Sequence, residues 1–284
     1  MSEMSGIRQF LLSLPERLQI VVIIGATVAL AFAAAIATRA LFDINQLAAD
    51  TGLTTTVYQV IGTIYAILLA FVVSGIWQNF SGAMTTVHVE ADALMSLMHI
   101  SEVFSKKEDT KEIYAAVHSY AKMVIDEEWQ LLVRLARGYI SAKDLIVFPG
   151  SVLALMGAVQ SREPLSAREI MVFEQALVKL NNWLDARRER LQSARGGNAA
   201  ALWPLLIAGA IVLFAFHGLF VANATEVWAA LLLGPSLVVG ISFYLIFSLD
   251  SPFTGTLSAD LGPFQYVVHW SQPEKPLSPS EPAA

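Results

Sequence analysis

Long apolar segments constrain this chain more than any other feature of its sequence. An α-helix needs about 20 consecutive apolar residues to cross the hydrocarbon core of a bilayer. Four segments have this length: 18–42, 57–77, 202–222 and 227–249. Charged residues make up only 15% of the sequence, whereas roughly 25% is usual in soluble domains. The sequence therefore predicts an all-α membrane protein with four transmembrane helices.

The positions of Lys and Arg predict which side of the membrane each segment occupies. Fourteen of the 18 basic residues lie within 78–201, and none lies within 43–56. Cytoplasmic segments carry an excess of Lys and Arg, so we expect both termini and the long middle segment to be cytoplasmic. The predicted organisation is a cytosolic N-terminal segment (1–17), transmembrane helices 1 and 2 (18–77), a cytosolic helical domain (78–201), transmembrane helices 3 and 4 (202–249), a cytosolic post-membrane segment (250–270) and a disordered tail (271–284).

Apolar residues at spacings of three and four predict that the middle segment forms a cytosolic helical bundle. We expect the second span to continue as one helix to about Phe104. Capping boxes at Asp109 with Glu112 and at Ser166 with Glu169 predict the starts of two further helices, and Gly196-Gly197 would end the second of them. The apolar stripe of that last helix comprises Ile170, Phe173, Leu177, Leu180, Leu184 and Leu191.

Two groups of charged residues in the middle segment need an explanation. Glu127 falls on an apolar stripe, and Arg134, two turns later, is its predicted ion-pair partner. The segment "DARRERLQSARGG" (185–197) is basic and precedes the third span. We expect it to anchor the chain to anionic lipid, although it could also concentrate anions at a cytosolic mouth.

One face of the second span combines polar ends with an apolar middle. Thr63, Ile67, Phe71 and Ser74 share this face because their spacing is four, four and three. A pore wall with a dewetting constriction has this composition. Small and hydroxyl residues also allow close packing between helices, so the pattern permits both interpretations.

Several functional classes find no support in the sequence. There is no cysteine, which excludes disulfides and thiolate chemistry, and a net charge of −6 argues against a nucleic-acid partner. His88 and His99 lack the additional ligands that a metal site needs. His217, within the third span, could be functional or could bind a neighbouring helix. We therefore expect no enzyme activity, no metal and no cofactor.

Several short motifs carry a resemblance to a known family. The motifs are "LLAFVVSGIWQNFSGAM", then "EADALMSL" beginning at Glu90, the pair Glu128-Trp129, and "LDSPFTGTLSAD" with Pro252, Phe253 and Gly255. Together they resemble the bacterial bestrophin-like domain proteins and, more distantly, the bestrophin anion channels. The resemblance covers about 57–265.

The resemblance implies a homopentamer with four membrane helices per chain, cytosolic termini and a neck formed by the second membrane helix. Phe71 matches the phenylalanine at the end of that neck, with Ile67 and Thr63 one and two turns before it. The bestrophin calcium site uses a dense acidic run, and here only Asp260 follows the Pro-Phe-Gly element. We therefore expect no calcium site.

Two hypotheses from different classes follow. In the first, the chain is a homo-oligomeric channel of the bacterial inner membrane, in contact with lipid, that conducts small anions passively along Thr63, Ile67, Phe71 and Ser74. In the second, it is a non-conducting membrane scaffold or sensor whose cytosolic bundle binds a partner. In that case the same face of the second span packs against lipid or another helix.

Overall fold

The computed structural model of the chain describes residues 2–42, 51–137, 139–140, 149–194, 199, 201–220, 225–255 and 257–272, and every regular element among them is helical. The helices are α1 (Ser2–Ser13), α2 (Glu16–Leu41), α3 (Thr51–Ser101), α4 (Lys107–Met123), a π-helical turn (Val124–Glu128), α5 (Trp129–Ala136), α6 (Gly150–Gln160), α7 (Ala167–Ser193), α8 (Trp203–Gly218), α9 (Thr225–Leu249) and α10 (Gly262–Trp270).

The chain forms two compact units. The first comprises Met1–Phe80, Gly196–Ser251 and Gly255–Leu257, and the second comprises Ser81–Arg195, Pro252–Thr254 and Ser258–Ala284. Helix α3 contributes residues to both units and runs for 51 residues without interruption. The expectation of one continuous helix beyond the second apolar segment is therefore confirmed, with its end at Ser101.

Small residues bring the helices of the first unit close together. In α2, Thr27, Ala31, Ala35 and Thr38 are buried at spacings of four, four and three, where α2 packs against α8 and α9. A Cβ atom added to Gly218 of α8 would lie 3.0 Å from the Cα atom of Ala35. Small side chains are typical of helix contacts in membranes, where close packing replaces the hydrophobic effect as the driving force.

Three helices of the described residues are long and apolar enough to cross a bilayer: Glu16–Leu41, Gly52–Ser101 and Thr225–Leu249. The third predicted span is represented by α8, which is apolar but has only 16 residues. At about 1.5 Å per residue it is roughly 24 Å long, less than a hydrocarbon core of about 30 Å. The count of four spans therefore remains a prediction.

The second unit has its own hydrophobic core. It is built from the C-terminal part of α3 and from α4, the π-helical turn, α5, α6, α7 and α10. Its buried side chains include Val87, Leu94, Met98, Val117, Leu132, Leu155, Leu180 and Phe264. Of the apolar stripe predicted for α7, Leu180 is buried, but Ile170 is 48% exposed.

The two predicted capping boxes have different outcomes. Ser166 is the N-cap of α7, and its hydroxyl accepts a hydrogen bond from the backbone N–H of Glu169 at 3.2 Å. The box at Asp109 and Glu112 is wrong, because α4 already begins at Lys107 and has no side-chain cap. The carboxylates of Asp109 and Glu112 instead both bind Arg162.

The pairing predicted for Glu127 with Arg134 is also wrong. Both residues are exposed, and the neighbouring Glu128 is buried in their place. The π-helical turn over Val124–Glu128 explains the difference. An insertion of this kind advances the helix by one residue, so the buried face of α4 continues through Glu128 rather than Glu127.

Some expectations fall outside the described residues. They concern most of the 43–56 loop, the Gly196-Gly197 pair and the tail from 273 onwards.

Candidate functional site

The four residues predicted to line a pore lie on an exposed face of α3. Thr63 and Ser74 are exposed, Ile67 is 51% exposed, and Phe71 is 74% exposed. The hydroxyl of Thr63 donates to the carbonyl oxygen of Gln59 at 2.8 Å. A large aromatic ring exposed on an apolar helix is available to contact lipid or another protein chain.

The opposite face of α3 determines this orientation. Tyr65 is buried, and its hydroxyl donates to the carbonyl oxygen of Leu206 on α8 at 2.9 Å. A Cβ atom at Gly209 would lie 2.6 Å from the Tyr65 ring, so glycine leaves space for the ring against α8. Leu69, Val72 and Ile76 continue the buried face. Packing of the first unit thus uses this side of α3 and leaves the Phe71 side uncovered.

A buried ion-pair cluster lies in the second unit and consists of Glu90, Tyr120, Glu128, Arg187 and Arg190. Arg190 donates to both carboxylate oxygens of Glu90, at 2.7 and 3.1 Å, and to Glu128 at 2.5 Å. Arg187 donates to the other Glu128 oxygen at 2.5 Å, and the Tyr120 hydroxyl donates to Glu90. The formal charges sum to zero, and the cluster links α3, α4, the π-helical turn and α7.

The electrostatics of the cluster favour its charged form. Burial alone would raise the pKa of Glu128, but the positive charges of Arg190 and Arg187 outweigh burial and lower that pKa. Burial likewise opposes the charge of Arg190, yet Glu90 and Glu128 hold its pKa above the ordinary value. Burial and the negative charge of Glu90 raise the pKa of the Tyr120 hydroxyl, which stays a hydrogen-bond donor. These groups stabilise one another, as a structural cluster does.

This cluster corrects the interpretation of Arg187 and Arg190 in the basic segment 185–197; Arg195 lies outside the described residues. Arg187 and Arg190 are 6% and 0% exposed, so they neither reach lipid headgroups nor attract anions. Arg188 is exposed and pairs with Asp185 at 2.9 Å. The sequence did contain an indication of this cluster, because Glu90 and Glu128 belong to two of the motifs that carry the family resemblance.

Two more motif residues, Trp129 and Phe253, lie in the core of the second unit. The ring of Phe253 packs edge-on against Trp129, with centroids 5.3 Å apart. Phe264 lies under the Arg190 guanidinium, 5.5 Å from its central carbon. Gly255 has a φ of +87°, a conformation that glycine adopts without strain. The motifs are therefore divided between the two units: Glu90, Glu128, Trp129 and Phe253 belong to the second unit, whereas 68–80 and Gly255 belong to the first.

The three histidines considered from the sequence have different surroundings. His88 and His99 are exposed, and His217 is buried beside the rings of Tyr58, Phe220 and Trp228. Among the described residues, no group of three or more His, Asp or Glu side chains is arranged to hold a metal ion.

Comparison with known proteins gives a consistent result. A bacterial bestrophin homologue from Klebsiella pneumoniae, solved as several variants, superposes with TM-scores of 0.56 and 0.57 in two of them. The sequence identities to these two variants are 15% and 16%. Each superposition covers 89% of this chain, and they cover 97% and 95% of the homologue's chain, respectively. A crystal structure described as a membrane protein gives a TM-score of 0.59 at 17% identity, covering 89% of this chain and 96% of that one.

These identities are low, so the superpositions establish the fold. No curated protein matches the sequence. The Bestrophin-like domain matches residues 25–264, which is most of the chain. The chain therefore belongs to the Bestrophin-like domain family.

Proposed function

We propose that the chain forms a membrane channel that conducts small anions, such as chloride, passively through a pore lined by α3. The observation that carries the proposal is the exposed face of Thr63, Ile67, Phe71 and Ser74, on the side of α3 away from Tyr65. In a ring of identical chains, each residue of this face would be repeated around a central axis. Membership of a family related to channels supports the same interpretation.

The chemistry of this face suits a pore with an apolar constriction. Rings of Ile67 and Phe71 offer a passing ion no oxygen to replace its hydration water. Such a constriction conducts only when it is wide enough to stay wet, so it can gate by dewetting. Thr63 and Ser74 would place hydroxyl groups on either side of it.

The proposal includes an assembly and an orientation. We propose a homo-oligomer, a pentamer by family resemblance, in the bacterial inner membrane and in contact with lipid. Four spans would place both termini and the second unit on the same side of the membrane. The excess of Lys and Arg within 78–201 indicates that this side is the cytoplasm. The 16-residue α8 would form the third span.

Flux measurements test the proposal directly. Purified protein would be reconstituted into liposomes, and chloride efflux would be compared for the parent, Phe71→Ala and Ile67→Ala. Each substitution should widen the constriction and increase the flux. Ile36→Ala is the matched control, because Ile36 is 56% exposed but lies on α2; it should leave the flux unchanged.

The alternative hypothesis predicts a different result. If the parent and both α3 variants are silent while the protein remains assembled, the chain does not conduct through this face. A scaffold or sensor, whose second unit binds a partner, would then replace the channel. Single-channel recordings in a potassium chloride gradient would further establish whether anions or cations carry the current.

A further inference from the structure

We infer that Asp92 is a charge-selecting residue of the conduction pathway and that its carboxylate disfavours anions there. The inference rests on the proposed channel function, because it needs α3 to line the pore. It concerns the C-terminal part of the same helix, beyond the apolar constriction. Two observations support it: the position of Asp92 around α3 and the acidic groove beside the preceding turns.

The position of Asp92 follows from helix geometry. Asp92 comes eighteen residues after Ser74, which is five turns of an α-helix at about 3.6 residues per turn. The two side chains therefore project from α3 in the same direction. The intervening residues nearest the line from Ser74 to Asp92 are polar and exposed, namely Gln78, Ser81, Thr85 and His88, and the exposed side chains of Trp77 and Val89 flank them. Asp92 itself is exposed.

The other side of α3 is occupied by the core of the second unit. Val87, Leu94 and Met98 are at most 1% exposed there, and Glu90 is bound by Arg190. This packing restricts which side of the helix can face open space. Any pathway that follows the exposed side of α3 from Ser74 therefore passes the Asp92 carboxylate.

Additional negative charge lies beside the same stretch of helix. Ser81 and Thr85 line a groove of about 540 Å³ together with Asn182, Asp185 and Glu189 of α7. Asp185 is paired with Arg188. The carboxylate of Glu189, which lines the same groove, would add to the field of Asp92.

A carboxylate repeated around a ring acts on ions of both signs. Rings of Asp or Glu favour cations in channels, and clefts lined by one sign of charge reach potentials of several kT. The Asp92 ring should therefore reduce anion entry relative to cation entry. The apolar constriction would control whether ions pass, and Asp92 would influence which sign of ion passes.

The test compares permeability ratios in planar bilayers. The chloride-to-potassium permeability ratio would be obtained from reversal potentials in a potassium chloride gradient for the parent, Asp92→Asn and Asp92→Lys. We expect the ratio to rise by about threefold or more for Asp92→Asn, since the potentials involved reach several kT. It should rise further for Asp92→Lys. Asp126→Asn is the matched control, because Asp126 is an exposed aspartate on the π-helical turn.

Each outcome decides between the two proposals. An unchanged ratio in both Asp92 variants, with Phe71→Ala still raising conductance, would overturn the inference and leave the channel function standing. An equal rise in Asp126→Asn would also overturn it, because the effect would then reflect net charge. Silence of the parent, of every Asp92 variant and of Phe71→Ala would overturn the channel function itself. A cation-selective parent whose ratio rises in Asp92→Asn would support the inference and contradict anion selectivity.

Discussion

Arg190 and Glu90 form an ion pair with two hydrogen bonds, at 2.7 and 3.1 Å, in which both side chains are completely buried. Glu90 belongs to α3 and Arg190 to α7, so the pair joins two helices far apart in the sequence. Glu128, from the π-helical turn, binds the same guanidinium. The pair thus holds the C-terminal part of α3, which also carries Asp92, in one rotational setting.

Removing the guanidinium should destabilise the second unit severely. Arg190→Gln would leave the carboxylates of Glu90 and Glu128 buried without their main partner, and breaking a buried pair costs about 3–5 kcal/mol. Thermal unfolding of the detergent-solubilised protein would measure the loss. Arg188→Gln is the control, since the Arg188–Asp185 pair is exposed and should contribute about 1 kcal/mol or less. Equal effects of the two substitutions would contradict the structural role of the cluster.

The lowered pKa of Glu128 predicts a loss of stability in acid. Burial would raise this pKa, but Arg190 and Arg187 lower it. The ionised carboxylate therefore stabilises the fold above the pKa of the unfolded chain, near 4.3. That stabilisation is lost as the pH falls through the lower pKa of the folded state. Glu128→Gln should lower stability at neutral pH and make the decline below about pH 4.3 shallower.

Unfolding midpoints between about pH 7 and pH 3 would check this expectation, in the range where carboxylates titrate. Glu127→Gln is the control because Glu127 is exposed and adjacent. This variant should follow the acid decline of the parent. An unaltered decline in Glu128→Gln would show that other groups dominate the acid response.

Close packing between α2 and α8 predicts a penalty for enlarging Gly218. An added Cβ atom would lie 3.0 Å from the Cα atom of Ala35 and also crowd its carbonyl oxygen. Because these atoms belong to the backbone of α2, the clash can be relieved only if α2 and α8 move apart. Gly218→Ala should therefore cost about 1–3 kcal/mol, as overpacking does. Gly25→Ala is the control, since nothing lies within 4 Å of its added Cβ atom. If the two substitutions lower the midpoint of thermal unfolding by similar amounts, close packing at Gly218 is not the cause.

The proposed orientation can be tested by labelling with a membrane-impermeant thiol reagent. The sequence contains no cysteine, so single substitutions label without background. We expect Lys107→Cys to label from the cytoplasmic side and Gly52→Cys from the opposite side, because the excess of Lys and Arg lies within 78–201. Both positions are exposed. Labelling of both from the same side would contradict the topology.

The sequence by itself determined the class of fold and the face that carries the functional hypothesis. The length of an apolar run and the spacing of apolar residues by three and four are local properties of the sequence. They determine which residues share a helix face, whatever the helix packs against. Thr63, Ile67, Phe71 and Ser74 could therefore be placed on one face before the fold was known. The structure shows that this face is uncovered, because Tyr65 fills the other side.

Only the tertiary structure decided which charged residues belong to the core. Because of the π-helical turn, Glu128 rather than Glu127 lies on the buried face. An insertion of one residue is not visible in the spacing of the apolar residues, so the sequence did not predict it. Arg187 and Arg190 are typical surface residues by sequence alone, yet both are buried because Glu90 and Glu128, about 60 to 100 positions away, compensate their charge. Burial of a charge depends on a partner, and partners distant in sequence meet only after folding.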